Sequence, residues 1–181
     1  SGRGNPGHGD RWHGLLRGRS ALWGFNFCGW RTAPWTTEMS HDFGAVIPFV
    51  DLLGFTLEHF EGGESTMHYA PLPQHCNSFG VAHGGAVMTF LDVTLATAAR
   101  SAEPDMGVVT IEMKTSFMRP APQGGTLVGH GRLLHRTRSM AFVEASLLDA
   151  QGTLCAQATG NFKYVPRAER PDHTPGQLPT D

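Results

Sequence analysis

At 181 residues, with 40% hydrophobic and 17% charged residues, the chain has the size and core-forming content of one ordinary domain, which excludes a wholly disordered protein. Its 14 Lys+Arg against 16 Asp+Glu leave a net charge of −2, which excludes bulk positive charge as a means of holding nucleic acid. Three widely spaced cysteines without a CxxC (Cys28, Cys76 and Cys155) argue against a disulfide framework or zinc knuckle, and no apolar run of about 18 residues supplies a membrane span, so a cytoplasmic protein is expected.

Residues 1–38 stand apart in composition. They hold Trp12, Trp23, Trp30 and Trp35, which are all of the tryptophans, and they show neither a helical nor a strand period. A disordered or non-native extension is expected there, with Met39 opening a domain over 39–165. Pro166, Pro171, Pro175 and Pro179 predict a flexible tail over 166–181.

Within the domain, residues 47–53 read as a short helix closed by Gly54. Residues 55–60 and 65–70 read as strands about a Gly62-Gly63 turn. Residues 84–100 have no breaker after Gly85 and predict one long, mostly buried helix. Val109, Ile111, Met113 and Phe117 then alternate with polar residues, which predicts a strand with those four on its buried face. Runs over 127–134, 141–148 and 154–165, separated by turn-like segments, predict an antiparallel meander. One helix against five or six strands is an α+β layer.

The chemistry-bearing stretch runs from Asn77 through Gly80, His83, Gly84 and Gly85 to Asp92. Gly84 and Gly85 put exposed N–H groups at a helix N-terminus, where the dipole favours negative charge and a carbonyl can be polarised. Taken alone, Gly-Gly also reads as an ordinary helix start. Asp92 lies about two turns into the helix among Phe90, Leu91, Val93 and Leu95, so its carboxylate has desolvation to overcome. Such an acid does chemistry or is held by a partner. Ten histidines show no HxH or HxxxH spacing, and Gly-x-Ser-x-Gly is absent, so no metal and no serine triad is expected.

Asn77-x-x-Gly80-x-x-His83-Gly84-Gly85 with Asp92, followed by Thr110 to Ala121, resembles the hotdog-fold acyl-CoA thioesterases of the phenylacetate-degradation and 4-hydroxybenzoyl-CoA type. The resemblance spans about residues 45–165 and implies a curved antiparallel sheet wrapped around one long central helix. It further implies a homodimer or homotetramer whose active sites lie at the subunit interface. By resemblance the Gly84 N–H holds the thioester oxygen and Asn77 places the substrate or the loop. Asp92, from the facing subunit, acts as general base or nucleophile, and the Thr110 hydroxyl helps orient the water. His83 is assigned to holding the loop by hydrogen bonds.

The implied substrate is an acyl-CoA with an aryl or medium-chain acyl group, with no cofactor beyond the coenzyme A of the substrate. Its phosphates are expected at Arg136, Arg138 and Ser139 in a strand turn, which also read as ordinary solvated residues. Gly85 and Phe79 are expected beside the substrate, and the acyl pocket is expected from residues 47–53, the Phe79 loop and the central helix. Two rival readings are a hotdog hydratase or dehydratase and a non-catalytic acyl-CoA sensor. The first needs a catalytic histidine beside the acid, where only His83 is near; the second needs a DNA-binding segment that 1–38 does not show.

Overall fold

The structure is a computed structural model that describes Phe43, Gly44 and residues 46–167. Helix α1 (Pro48–Leu53) leads into strands β1 (Thr56–Glu61) and β2 (Glu64–Tyr69). The long helix α2 (Gly84–Ser101) follows, and then β3 (Met106–Phe117), β4 (Leu127–Arg136), β5 (Met140–Leu148) and β6 (Leu154–Pro166). The strands form one six-stranded antiparallel sheet in the order β1-β2-β4-β5-β6-β3. The expected meander is β4-β5-β6. Among the described residues β3 pairs only with β6, which leaves it at one edge. Expectations for 1–38 and for 168–181 lie outside the described residues, and Pro166 itself closes β6 instead of opening a tail.

Local chemistry explains the boundaries. Gly54 takes the left-handed conformation (φ 69°) that ends α1, and its N–H returns to the Val50 and Asp51 carbonyls. Gly62 and Gly63, at φ 63° and 91°, make the two-residue turn between β1 and β2.

The core is one face of α2 laid on the sheet. Phe90, Leu91, Thr94, Leu95 and Ala98 recur at helical spacing and are fully buried against Leu57, Met67, Leu127, Val143, Leu147 and Phe162. Full burial of each such Phe or Leu contributes roughly 1.5–3 kcal/mol. Small residues bring the helix close. Gly131, Ala145 and Ala158 stand in register across β4, β5 and β6. A Cβ on Gly131 would lie 2.6 Å from the Thr94 carbonyl oxygen, and one on Gly129 would lie 2.6 Å from the Phe90 ring. Hydrogen bonds then fix the helix along its length: Ser65 Oγ donates to the Thr94 carbonyl (2.9 Å), and Tyr164 Oη donates to the Ala99 carbonyl (2.9 Å).

The alternation expected in β3 is corrected by a bulge. Thr110 pairs with Phe162 and Glu112 with Asn161, so Ile111 is an extra residue and the side chains change phase there. Before the bulge Val108 and Thr110 face the helix; after it Met113 and Phe117 do. Val109 and Ile111 are instead 45% and 57% exposed. Strict period-2 reading placed them inside because an inserted residue leaves no mark in composition.

The close seat of the helix is testable. Gly131→Ala should cost about 1–3 kcal/mol by overpacking against helix backbone, read from the urea unfolding midpoint. An unchanged midpoint would show that the helix does not press on this strand.

Candidate active site

The loop before α2 is built around Asn77. Its side-chain Oδ1 accepts from the Phe79 N–H (2.9 Å), while its own N–H donates to the Val81 carbonyl (2.9 Å). Gly80 closes the turn at φ 72°, a conformation that favours glycine, and donates to the Asn77 carbonyl (3.0 Å). Cys76 bridges to Ala82, and Val81 to Pro122, so both ends of the turn are tied to neighbouring chain. The His83 N–H donates to the carbonyl of buried His75 (2.8 Å). Asn77 therefore shapes the loop that delivers the helix N-terminus.

His83 is the N-cap of α2. Its Nδ1 accepts from the Gly85 N–H at 2.9 Å, which satisfies one of the free donors of the first turn. A neutral imidazole accepting at Nδ1 carries its proton on Nε2. The capped donor is Gly85. The Gly84 N–H, at the first helical residue, has no intrahelical carbonyl to bond and, with that of Ala86, is a donor left at the positive end of the helix.

Asp92 lies two turns further along. Thr110 Oγ1, from β3, donates to Asp92 Oδ1 at 2.9 Å. Burial pushes the carboxyl above its ordinary value, and the Thr110 hydrogen bond partly offsets that by favouring the charged form. A half-buried acid whose burial outweighs its one hydroxyl donor holds its proton more readily than a free one. Along the helix axis, eight residues separate Asp92 from Gly84, a distance of about 12 Å.

The other expected residues divide. Phe79 is 87% exposed at the loop tip. Arg136 is engaged in an ion pair with Glu103. Arg138 is exposed and enters no ion pair among the described residues, and Ser139 uses its carbonyl to accept from the Tyr164 N–H (2.9 Å). Helix α1 turns Phe49 and Leu52 to solvent rather than into a closed pocket. Sequence reasoning missed Phe117 as a site neighbour. A Cβ on Gly84 would meet its ring at 3.6 Å, yet the ring is 54% exposed. It also missed the Thr115 hydroxyl, which is enclosed without a hydrogen-bond partner. Both are signalled only by the strand phase that the bulge resets. Among the described residues no three His, Cys, Asp or Glu converge to hold a metal ion, and no helix is long and apolar enough to cross a membrane.

A long helix packed on a six-stranded antiparallel sheet is the architecture of the hotdog fold. Residues 79–156 match the Thioesterase superfamily, and the fold that holds them is hotdog-like. A Saccharolobus solfataricus protein with a provisional esterase name is 29% identical over 124 residues, which cover 68% of this chain and 85% of that protein. Human acyl-coenzyme A thioesterase 13 is 31% identical over 85 residues, covering 46% of this chain and 61% of its own. The structure of E. coli PaaI, from the phenylacetic acid degradation operon, shares the fold with a TM-score of 0.61 at 20% identity, over 65% of this chain and 83% of that one.

The burial of Asp92 has a stability consequence with a definite sign. The folded state binds the Asp92 proton more tightly than the unfolded chain, so stability falls as pH rises through the carboxylate range and stays lowered above it. Asp92→Asn should therefore raise the melting temperature at about pH 7 and leave it nearly unchanged at about pH 3, where both forms are neutral. A lower melting temperature at neutral pH would contradict the assignment of burial as the dominant influence.

Proposed function

We propose that the protein hydrolyses acyl-CoA thioesters to a free acid and coenzyme A. The observation that carries this reading is the division of labour at the start of α2: His83 occupies the Gly85 N–H, and the Gly84 N–H is left to donate to a carbonyl oxygen. A thioester carbonyl is already activated, so one oriented donor, one carboxylate and one water suffice, without a metal. The name of the human relative, an acyl-coenzyme A thioesterase, supports the choice of thiol carrier.

The chemistry then runs as follows. The Gly84 N–H polarises the carbonyl and stabilises the oxyanion as water adds, assisted by the helix dipole. Asp92, ionised and oriented by Thr110, takes the proton from that water. Collapse of the tetrahedral intermediate breaks the C–S bond, and the protonated Asp92 returns its proton to the departing sulfur. The upward push on the carboxyl favours its use as a base.

One chain cannot assemble this site. Reacting atoms must approach to about 3–3.5 Å, and the roughly 12 Å between Gly84 and Asp92 along the rigid helix is far too long. The unpaired edge of β3, which carries Thr110, supports a dimer joined at that edge, with Asp92 of one copy serving Gly84 of the other. Arg138 and the exposed Lys163 beside Met140, which enter no ion pair among the described residues, are the cations proposed for the coenzyme phosphates, with Ser139 in the same turn. Arg136 is given to Glu103 instead. An aryl or medium-chain acyl group fits the apolar surroundings.

Thiol release from phenylacetyl-, benzoyl-, hexanoyl- and palmitoyl-CoA tests the reading. Wild-type protein should release thiol, Asp92→Asn should lose about 10²–10⁴-fold in kcat, and activity should fall on the acid side as Asp92 protonates above the ordinary Asp range. Binding of the esters without release would move the protein to the sensor class.

A further inference from the structure

An apolar surface continues from the Gly84 N–H and is built of residues outside the hydrolytic set. Gly84, Met88 and Asp92 follow at four-residue intervals and share one face of α2. Across from them run the helix-facing residues of β3. Contacts fix both ends of this cleft: the Phe117 ring lies against Gly84, and Thr110 holds Asp92. Met88 therefore lies between the two ends, on the side of Met113 and Thr115. Met88 and Phe117 keep 41% and 54% of their surface open, so both can touch a ligand in the cleft.

We propose that Phe117 and Met88 select the acyl group, with Phe117 bounding the room at the carbon next to the thioester carbonyl and Met88 bounding the depth beyond it. The inference rests on the reading of Gly84 as the carbonyl-binding donor. A carbonyl oxygen about 2.9 Å from that N–H brings the first acyl carbons alongside the Phe117 ring. A Cβ on Gly84 would be in ordinary contact with the ring, at 3.6 Å, so the space between ring and backbone is about one methyl group wide. An acyl group with an unbranched first carbon passes the ring edge, whereas a methyl branch at that carbon meets it. The occupant is thus the substrate's own apolar chain, continuous with the carbonyl site. Beyond the ring, the thioether of Met88 is a flexible, polarisable wall that a longer chain must displace.

The test is the ratio of kcat/KM for 2-methylbutyryl-CoA to that for butyryl-CoA, measured in wild type, Phe117→Ala and Phe117→Leu. A ratio within one enzyme cancels differences in folded fraction. Phe117→Ala should raise the ratio about ten-fold or more, the discrimination a pocket achieves for one methyl group, with Phe117→Leu intermediate. Met88→Ala should raise the corresponding ratio of decanoyl- to butyryl-CoA. Thiol release by wild type with unchanged ratios in the variants would overturn the assignment of Phe117 and Met88 while leaving hydrolysis in place. No release by wild type from any ester would remove the thioesterase reading itself. Conversion of Phe117→Ala, and of the milder Phe117→Leu, to monomers in sedimentation, with activity lost equally on both esters, would assign the ring to a subunit contact and also overturn the proposal.

Discussion

Everything at the candidate site depends on how closely α2 sits on the sheet. The row Gly131, Ala145 and Ala158 leaves no side chain to hold the helix off, and Gly129 admits the Phe90 ring and the Thr94 hydroxyl. Hydrophobic burial presses the helix down, and the Ser65 and Tyr164 hydroxyls fix it by bonding to carbonyls at Thr94 and Ala99. Bonds of this kind contribute only about 0.5–1.5 kcal/mol each, so their main effect is to fix the helix against sliding. A helix held along its length can present its N-terminus and the carboxylate two turns later as fixed points.

Those two points are different kinds of group. At one end the chain supplies the positive end of the helix dipole, where His83 satisfies the Gly85 donor. At the other it supplies a carboxyl kept partly desolvated, with Thr110 as its hydrogen-bond donor. The desolvation costs stability and makes the group a better proton acceptor, a trade common at sites built for chemistry. The same rigid helix that fixes both groups also keeps them apart. On the proposed reading that separation is resolved by symmetry, since a two-fold pairing at the β3 edge sets unlike ends of two helices against each other.

Much of this was legible in the residues. The long helix, the meander and the turn glycines follow from period and punctuation, and the structure has them within one or two residues of the expected bounds. The Asn77, His83 and Gly84 grouping was legible because a tight loop and a helix cap are local events, within eight residues of one another. What was not legible depends on contacts distant in sequence. The bulge at Ile111 is set by register with β6, some 50 residues away, and it turned Val109 and Ile111 outward. Arg136 pairs with Glu103 across 33 positions, which no turn motif could announce. Phe117 reaches Gly84 only because β3 and α2 lie side by side in the folded chain.

The central claim is that Gly84 and Asp92 act from different copies of the chain, and co-expression of two inactive variants tests it most directly. Asn77→Ala disables the carbonyl-binding loop and Asp92→Asn disables the carboxylate, so each homodimer should be nearly inactive. A mixed dimer contains one site with both defects and one with neither, so random pairing should restore about a quarter of wild-type activity. Activity of the mixture no greater than that of the two separate variants would contradict a site shared between copies.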